Sequence, residues 1–131
     1  MTVNRFQFSL LLAAIAAVSV TGTGHAASPP REYYSITDLG TLGGTVSRAA
    51  GINNVGQVVG WALTATGDKH AFRTTANRPI NPATDDLRTL GGSTSVAWGI
   101  NDSGQVVGYA FTAAGTQHGF RTAPNSPINL A

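Results

Sequence analysis

Gly51-Ile-Asn-Asn-Val-Gly-Gln-Val-Val-Gly60 decides the fold, because the chain writes it twice. It returns 48 residues later as Gly99-Ile-Asn-Asp-Ser-Gly-Gln-Val-Val-Gly108. The flanks return with it. Asp38–Asn81 aligns with Asp86–Asn129 without a gap, and 28 of the 44 pairs are identical. Self-similarity at a fixed period of this size marks a repeat architecture.

Each copy reads as a run of short strands. Asn53-Asn-Val-Gly56 is a tight turn, with Asn opening it and Gly taking a positive-φ position. Asn101-Asp-Ser-Gly104 has the same turn chemistry. Ala49–Asn53 is predicted as the strand before the first turn and Gln57–Thr64 as the strand after it, a hairpin. A second turn follows at Gly67-Asp-Lys and at Gly115-Thr-Gln. His70–Thr74 and His118–Thr122 form the third strand. A loop with Pro79 or Pro127 comes next, and Asp86–Leu90 is the fourth strand. Upstream, Tyr33–Leu39 is rich in Tyr, Ile and Thr and is predicted as a strand. Thr41-Leu-Gly-Gly44 ends it in a turn, as Thr89-Leu-Gly-Gly92 does in the second copy. No segment from residue 27 onward carries an amphipathic helical period of useful length. The expected fold is all-β: two tandem four-stranded antiparallel repeats, with residues 33–85 as repeat one and 86–131 as repeat two.

The strand after the Asn turn is the most informative. Side chains alternate between sheet faces. One face carries Val59, Trp61 and Leu63 in copy one and Val107, Tyr109 and Phe111 in copy two. The other carries Val58, Gly60, Ala62 and Thr64, then Val106, Gly108, Ala110 and Thr112. A half-exposed strand would be polar on one side. A bulky apolar face and a small one predict sheets stacked bulky face on small face. Two stacked sheets leave one face of each kind over, and such patches mark association surfaces. The expectation is head-to-tail association of identical chains, or with another repeat-containing chain, closing into a ring. The sequence ends at Ile128-Asn-Leu-Ala131, where another Asp-Leu-x-Thr-Leu is due, so the unpaired first strand is expected to complete the last sheet of the ring. A two-sheet sandwich standing alone and a fragment of a longer repeat protein are the rival arrangements.

Composition narrows the function classes. Hydrophobic residues make up 42% and charged residues 11%, a packing sequence rather than a disordered one. Taking Arg5 away with the leader reduces the formal +2 to +1, which offers no basic patch for nucleic acid. There is no Cys, hence no disulfide framework and no thiolate ligand or nucleophile. Residues 1–26 read as a signal peptide, with Arg5 as the n-region, Phe6–Val20 as the apolar core and Gly24-His25-Ala26 before cleavage at Ala27. The apolar run is short of the roughly 20 residues needed to span a bilayer. The protein is therefore expected in the periplasm or outside the cell, with no stable membrane span after processing. Residues 27–32, with Pro29 and Pro30, read as an extended linker.

Asp-Leu-Gly-Thr-Leu-Gly-Gly at 38–44, then Gly-Ile-Asn-x-x-Gly-Gln-Val-Val-Gly, then His70-Ala71-Phe72, resembles the bacterial extracellular HAF repeat family. Copy two departs with His118-Gly119-Phe120 and with Arg88 in place of the motif's Gly. The resemblance covers Asp38–Leu130 and implies secretion by a bacterium and propeller-like repeats. It brings no activity, cofactor or catalytic residue with it.

Several side chains remain as candidates. His70 and His118 are equivalent, and they either gather a ligand or fasten a sheet edge. No His-x-His or His-x3-His spacing supports a metal. Asp38 and Asp86 are a repeated pair of carboxylates that either do acid–base work or bind backbone amides at a turn. Asn53 and Asn101 lack the carboxylates of a calcium loop. Ser47 and Ser95 lack a Gly-x-Ser-x-Gly context. Trp61, Tyr109, Tyr34 and Trp98 suit a glycan-stacking surface, although the period-2 placement of Trp61 and Tyr109 assigns them to the core. Trp98 stands where copy one has Ala50, so the repeat itself does not demand bulk there. Arg73 and Arg121 are candidates for an anionic ligand or for edge charges. The glycines Gly51, Gly56, Gly60, Gly99, Gly104 and Gly108 read as structural, with no cofactor implied. The expectation is a secreted interaction module, for a glycan, a surface partner or structural assembly, rather than an enzyme. The alternative is a secreted hydrolase using His70/His118 with Asp38/Asp86.

Overall fold

The computed structural model describes residues 33–129. The expected leader, 1–26, and linker, 27–32, lie outside the described residues. The fold is carried by a unit that begins at Ser35. It is all-β: β1 (Gly43–Ile52), β2 (Val58–Thr64), β3 (Lys69–Arg73), β4 (Asp86–Arg88), β5 (Gly91–Ile100), β6 (Val106–Thr112) and β7 (Gln117–Arg121). They form one open sheet in the order β1-β2-β3-β5-β6-β7, with β4 pairing β3 off that path. Neighbours in each copy are antiparallel. A single parallel pairing, Lys69 with Thr94, joins β3 to β5.

The repeat in the sequence is a repeat in register. Ser47 pairs Ala62 and Gly51 pairs Val59, and 48 residues on Ser95 pairs Ala110 and Gly99 pairs Val107. Both meanders carry irregularities at the same two places. The local cause lies in the turns. Asn53 Oδ1 accepts the Gln57 amide at 2.9 Å, its Nδ2 donates to Gln57 Oε1, and Gly56 turns at φ 83°. Asn101, Gln105 and Gly104 repeat this geometry.

Two strand expectations need correction. Tyr33–Leu39 is not a strand; no residue from 33 to 40 is in a ladder. Asp38 Oδ1 accepts the Gly40 amide, which folds the segment into a local turn, and the Leu39 carbonyl accepts the Ile80 amide at 2.7 Å. The segment is tied to the loop after β3 rather than to a sheet. Conversely, β1 begins at Gly43, inside the expected turn, and runs ten residues. Leu42 bridges Thr64 just ahead of it, and Thr41 Oγ1 donates to the Gly44 carbonyl, so turn and strand entry are one structure.

The apolar residues form two clusters. One joins the copies: Val59 and Ala71 from the bulky face of copy one meet Ala97, Val106 and Ala110 from the small face of copy two, with Leu87 and Ile128. The other lies on the small face of copy one: Leu42, Ala62, Phe72 and Ile80, with Leu39 and Val58 against them. Only one end of copy one's bulky face is covered, since Trp61 and Leu63 stay half-exposed, and Lys69 Nζ sits 4.5 Å over the Trp61 ring.

Arg88 occupies a position that copy one gives to glycine. Its φ is 66°, against 72° at Gly40. A side chain in that left-handed region costs roughly 1–2 kcal/mol. Arg88→Gly is expected to raise stability by about 0.5–1 kcal/mol after the entropy glycine adds to the unfolded chain. An increased urea midpoint at unchanged slope would report it, and a decrease would mean that the Arg88 side chain holds β4.

Candidate functional site

The repeat brings its two Asn turns together, and this is where polar side chains converge. Asn53 Nδ2 donates to the Asn101 carbonyl at 3.1 Å. The Asn54 amide and its Nδ2 donate to the two oxygens of Asp102 at 3.0 and 2.7 Å. Those bonds, backbone first and then side chain, hold the exposed Asp102 carboxyl below its ordinary value. Gln57 Nε2 reaches Asn125 Oδ1 at 3.2 Å. Arg73 crosses from β3 to copy two, donating to the carbonyls of Gly104 at 3.1 Å and Ser126 at 3.3 Å. Burial lowers the Arg73 guanidinium from its ordinary value, with the Asp85 charge opposing.

Beside this junction lies a cleft of about 590 Å³ lined by Val55, Gln57, Arg73, Thr75, Asp85 and Asp102, among others. Its charged groups are committed internally. Asp85 accepts the Asn81 amide at 2.8 Å and the Thr84 hydroxyl at 3.0 Å. The cleft therefore has the character of a seam between copies, stitched by its own residues.

Of the repeated His and Asp residues the structure brings one pair together, His70 with Asp86, while Asp38 is engaged with the Gly40 amide. His70 Nδ1 meets Asp86 at 2.9 Å, joining β3 to β4. Asp86 Oδ1 also accepts the Arg88 amide at 2.7 Å. Burial raises the Asp86 carboxyl, but the His70 hydrogen bond, the Arg88 amide and the charges of both outweigh it and hold the group below its ordinary value. His118 is exposed on β7. Among the described residues, no group of three His, Cys, Asp or Glu side chains is placed to hold a metal. Ser95 is fully buried, its Oγ accepting the Ala71 amide at 2.8 Å and donating to the Arg88 carbonyl.

A carboxyl whose folded pKa is depressed stabilises above the unfolded value of about 3.9 and loses that contribution as pH falls through the folded one. Asp86→Asn is expected to cost about 1 kcal/mol at pH 7, the scale of one partly exposed charged hydrogen bond. The gap to the native chain should narrow between pH 7 and a pH below the unfolded value of about 3.9. Urea midpoints at both values test it; a gap that persists in acid would assign the loss to packing.

Two of the four aromatic candidates, Trp98 and Tyr109, assemble with Phe111 on the bulky face of copy two, whereas Trp61 lies on β2 beneath Lys69. Trp98 and Tyr109 have ring centroids 6.3 Å apart, and Tyr109 and Phe111 are edge-on at 6.2 Å. Trp98 is 60% exposed. Arg121, the counterpart of Arg73, is exposed. Asn54, Asp102, Gln57 and Asn125 are the functional residues that sequence reasoning passed over. Their signal was the Asn54-to-Asp102 change, one of two differences between the repeated turns, which only the meeting of those turns makes meaningful.

Fold and site together define an all-β chain whose polar seam joins two copies and whose aromatic row faces outward. No family model, curated protein or solved structure matches the chain.

Proposed function

We propose that this chain is an exported, non-catalytic interaction module of the HAF-repeat type, whose two copies are propeller-blade-like units. Its work is contact, made through open sheet faces. The observation that carries this reading is the outward aromatic row Trp98–Tyr109–Phe111 beside Val107, which is 47% exposed although its counterpart Val59 is fully buried. An apolar face of this kind marks an association surface. The His70–Asp86 pair supports the same reading rather than a hydrolase. It fastens β4 to β3.

The test is site-specific photo-cross-linking in the exported protein. A photoreactive residue at 107 or at 52 should yield covalent adducts, whereas one at Ala114, in the exposed β6–β7 turn, should not. Equal yields at all three positions would sink the reading. Export itself is checked by intact mass: the recovered protein should begin at Ala27. A retained leader would turn the module into an anchored one.

A further inference from the structure

The repeat makes the chain its own control for what a sheet face looks like when covered. At the junction of the copies, Val59 is 0% exposed; its counterpart Val107 is 47%. On the receiving side Leu87, Ala97 and Val106 are buried. Their counterparts are not: Ala49 is exposed, and Leu39 and Val58 are half-buried. Ile52 is 68% exposed where Ile100 packs against the core. The chain thus presents one bulky face and one small-residue face, the two kinds it already joins to each other.

We infer that the occupant of these faces is a second copy of this chain, docked head to tail so that the junction between repeats recurs between molecules. This rests on the interaction-module reading and names its partner. Val107 of one chain enters the small-residue groove of the next, a depression of about 450 Å³ lined by Leu39, Ala49, Ile52 and Val58 among others. Arg121 finds the Gly56 carbonyl, as Arg73 finds that of Gly104. The turn pair is matched too. Within the chain, Asn54 donates twice to Asp102. Between chains the order reverses: the Asp102 amide donates to Asn54 Oδ1, and Asn54 Nδ2 donates to the Asp102 carboxylate. One amide and one carboxylate meet in either order, whereas two carboxylates would repel.

Pairing two bulky faces gives Val107 no groove and Asp102 no amide, so the contact is heterologous, a geometry that generates rings when the rotation closes. Trp98 widens the docking face with the residue type that most often anchors interfaces.

Light scattering on the exported chain tests this. The native chain is expected as a discrete oligomer of two to four copies, which gives roughly four to eight blades. Two variants each spoil one face. Val107→Glu lies opposite Arg121 on β7, a cross-strand pair that favours folding. Ile52→Glu replaces an exposed side chain. Each alone should be monomeric, with self-association weakened about 30-fold or more, and with a urea midpoint near that of the native chain. Mixed, they retain one intact face each and should form a dimer that grows no further. A monomeric native chain overturns the inference, as does a monomeric mixture or an Ile52→Glu chain that still dimerises alone. A monomeric native chain that cross-links a foreign molecule at position 107 also overturns it, while the module reading stands. Absence of adducts at both faces removes that reading as well.

Discussion

Gly60→Ala is expected to destabilise the fold by about 3 kcal/mol or more, at the upper end of what overpacking costs. A methyl group at this position would stand 1.9 Å from the Arg48 carbonyl oxygen and 2.9 Å from its carbon. Neither atom belongs to a flexible side chain. Arg48 and Ala49 are held in the ladder opposite Trp61 and Gly60. Relief requires β1 to move away from β2 along the pairing that defines copy one. Gly108 repeats the constraint against the Val96 carbonyl, again at 1.9 Å. The two substitutions together are expected to leave no folded chain, since a domain of this size is stable by only about 5–15 kcal/mol. Gly67 and Gly115 supply the control. Both lie at positive φ, yet nothing lies within 4 Å of the added carbon. Alanine there should cost only the left-handed conformation, about 1–2 kcal/mol. Urea titrations of the four single variants separate the mechanisms. If Gly60→Ala is no worse than Gly67→Ala, the close approach of β1 is not what the repeated glycine serves.

Those glycines explain why so much was legible. Asn53-x-x-Gly56 and Asn101-x-x-Gly104 are short-range chemistry, side chain to neighbouring amide, and they place β2 and β6 to within a residue of expectation. That Val59 of copy one would meet small residues of copy two was legible because β2 and β6 alternate, although the strands form one open sheet rather than two separate ones. What failed was less local. Tyr33–Leu39 has strand composition, but composition does not supply a partner edge, and its backbone is spent on Gly40 and Ile80 instead. The first half of β1, Gly43–Arg48, is polar and mostly exposed, so no apolar period announced it. The seam was least legible. Arg73 read as a candidate for an anionic ligand or as an edge charge, and only the contact between the copies shows that its reach ends on Gly104 and Ser126. Asp102 read as a neutral variation in a turn, although it holds Asn54 of the other copy.

Phe72→Ala is expected to be the most damaging substitution in the apolar interior, at about 3–5 kcal/mol. Phe72 heads the largest fully buried side chains and lies in the cluster of Leu42, Ala62 and Ile80. That cluster has a consequence beyond its own packing. Leu39 lies against it from the segment ahead of β1, and Ile80 from the loop after β3. Neither belongs to a strand, and the Ile80-to-Leu39 hydrogen bond at 2.7 Å forms only while both are seated there. Removing the ring should therefore unseat two stretches at once. Amide exchange at Ile80 should accelerate more than at Ala62 or Phe72 itself, whose amides belong to the β2–β3 sheet. Phe120, the counterpart in copy two, is only half-buried at the margin of the inter-copy cluster. Phe120→Ala should cost roughly half as much, because the transfer and cavity terms both scale with what is enclosed. Phe72→Leu should recover most of the loss, since a branched aliphatic fills much of the same space at a penalty near 1.5 kcal/mol. Equal losses at Phe72 and Phe120 would place the weight of the fold on the seam between the copies instead. The small face of copy one would then have too little packing of its own to stay ordered without a chain docked upon it.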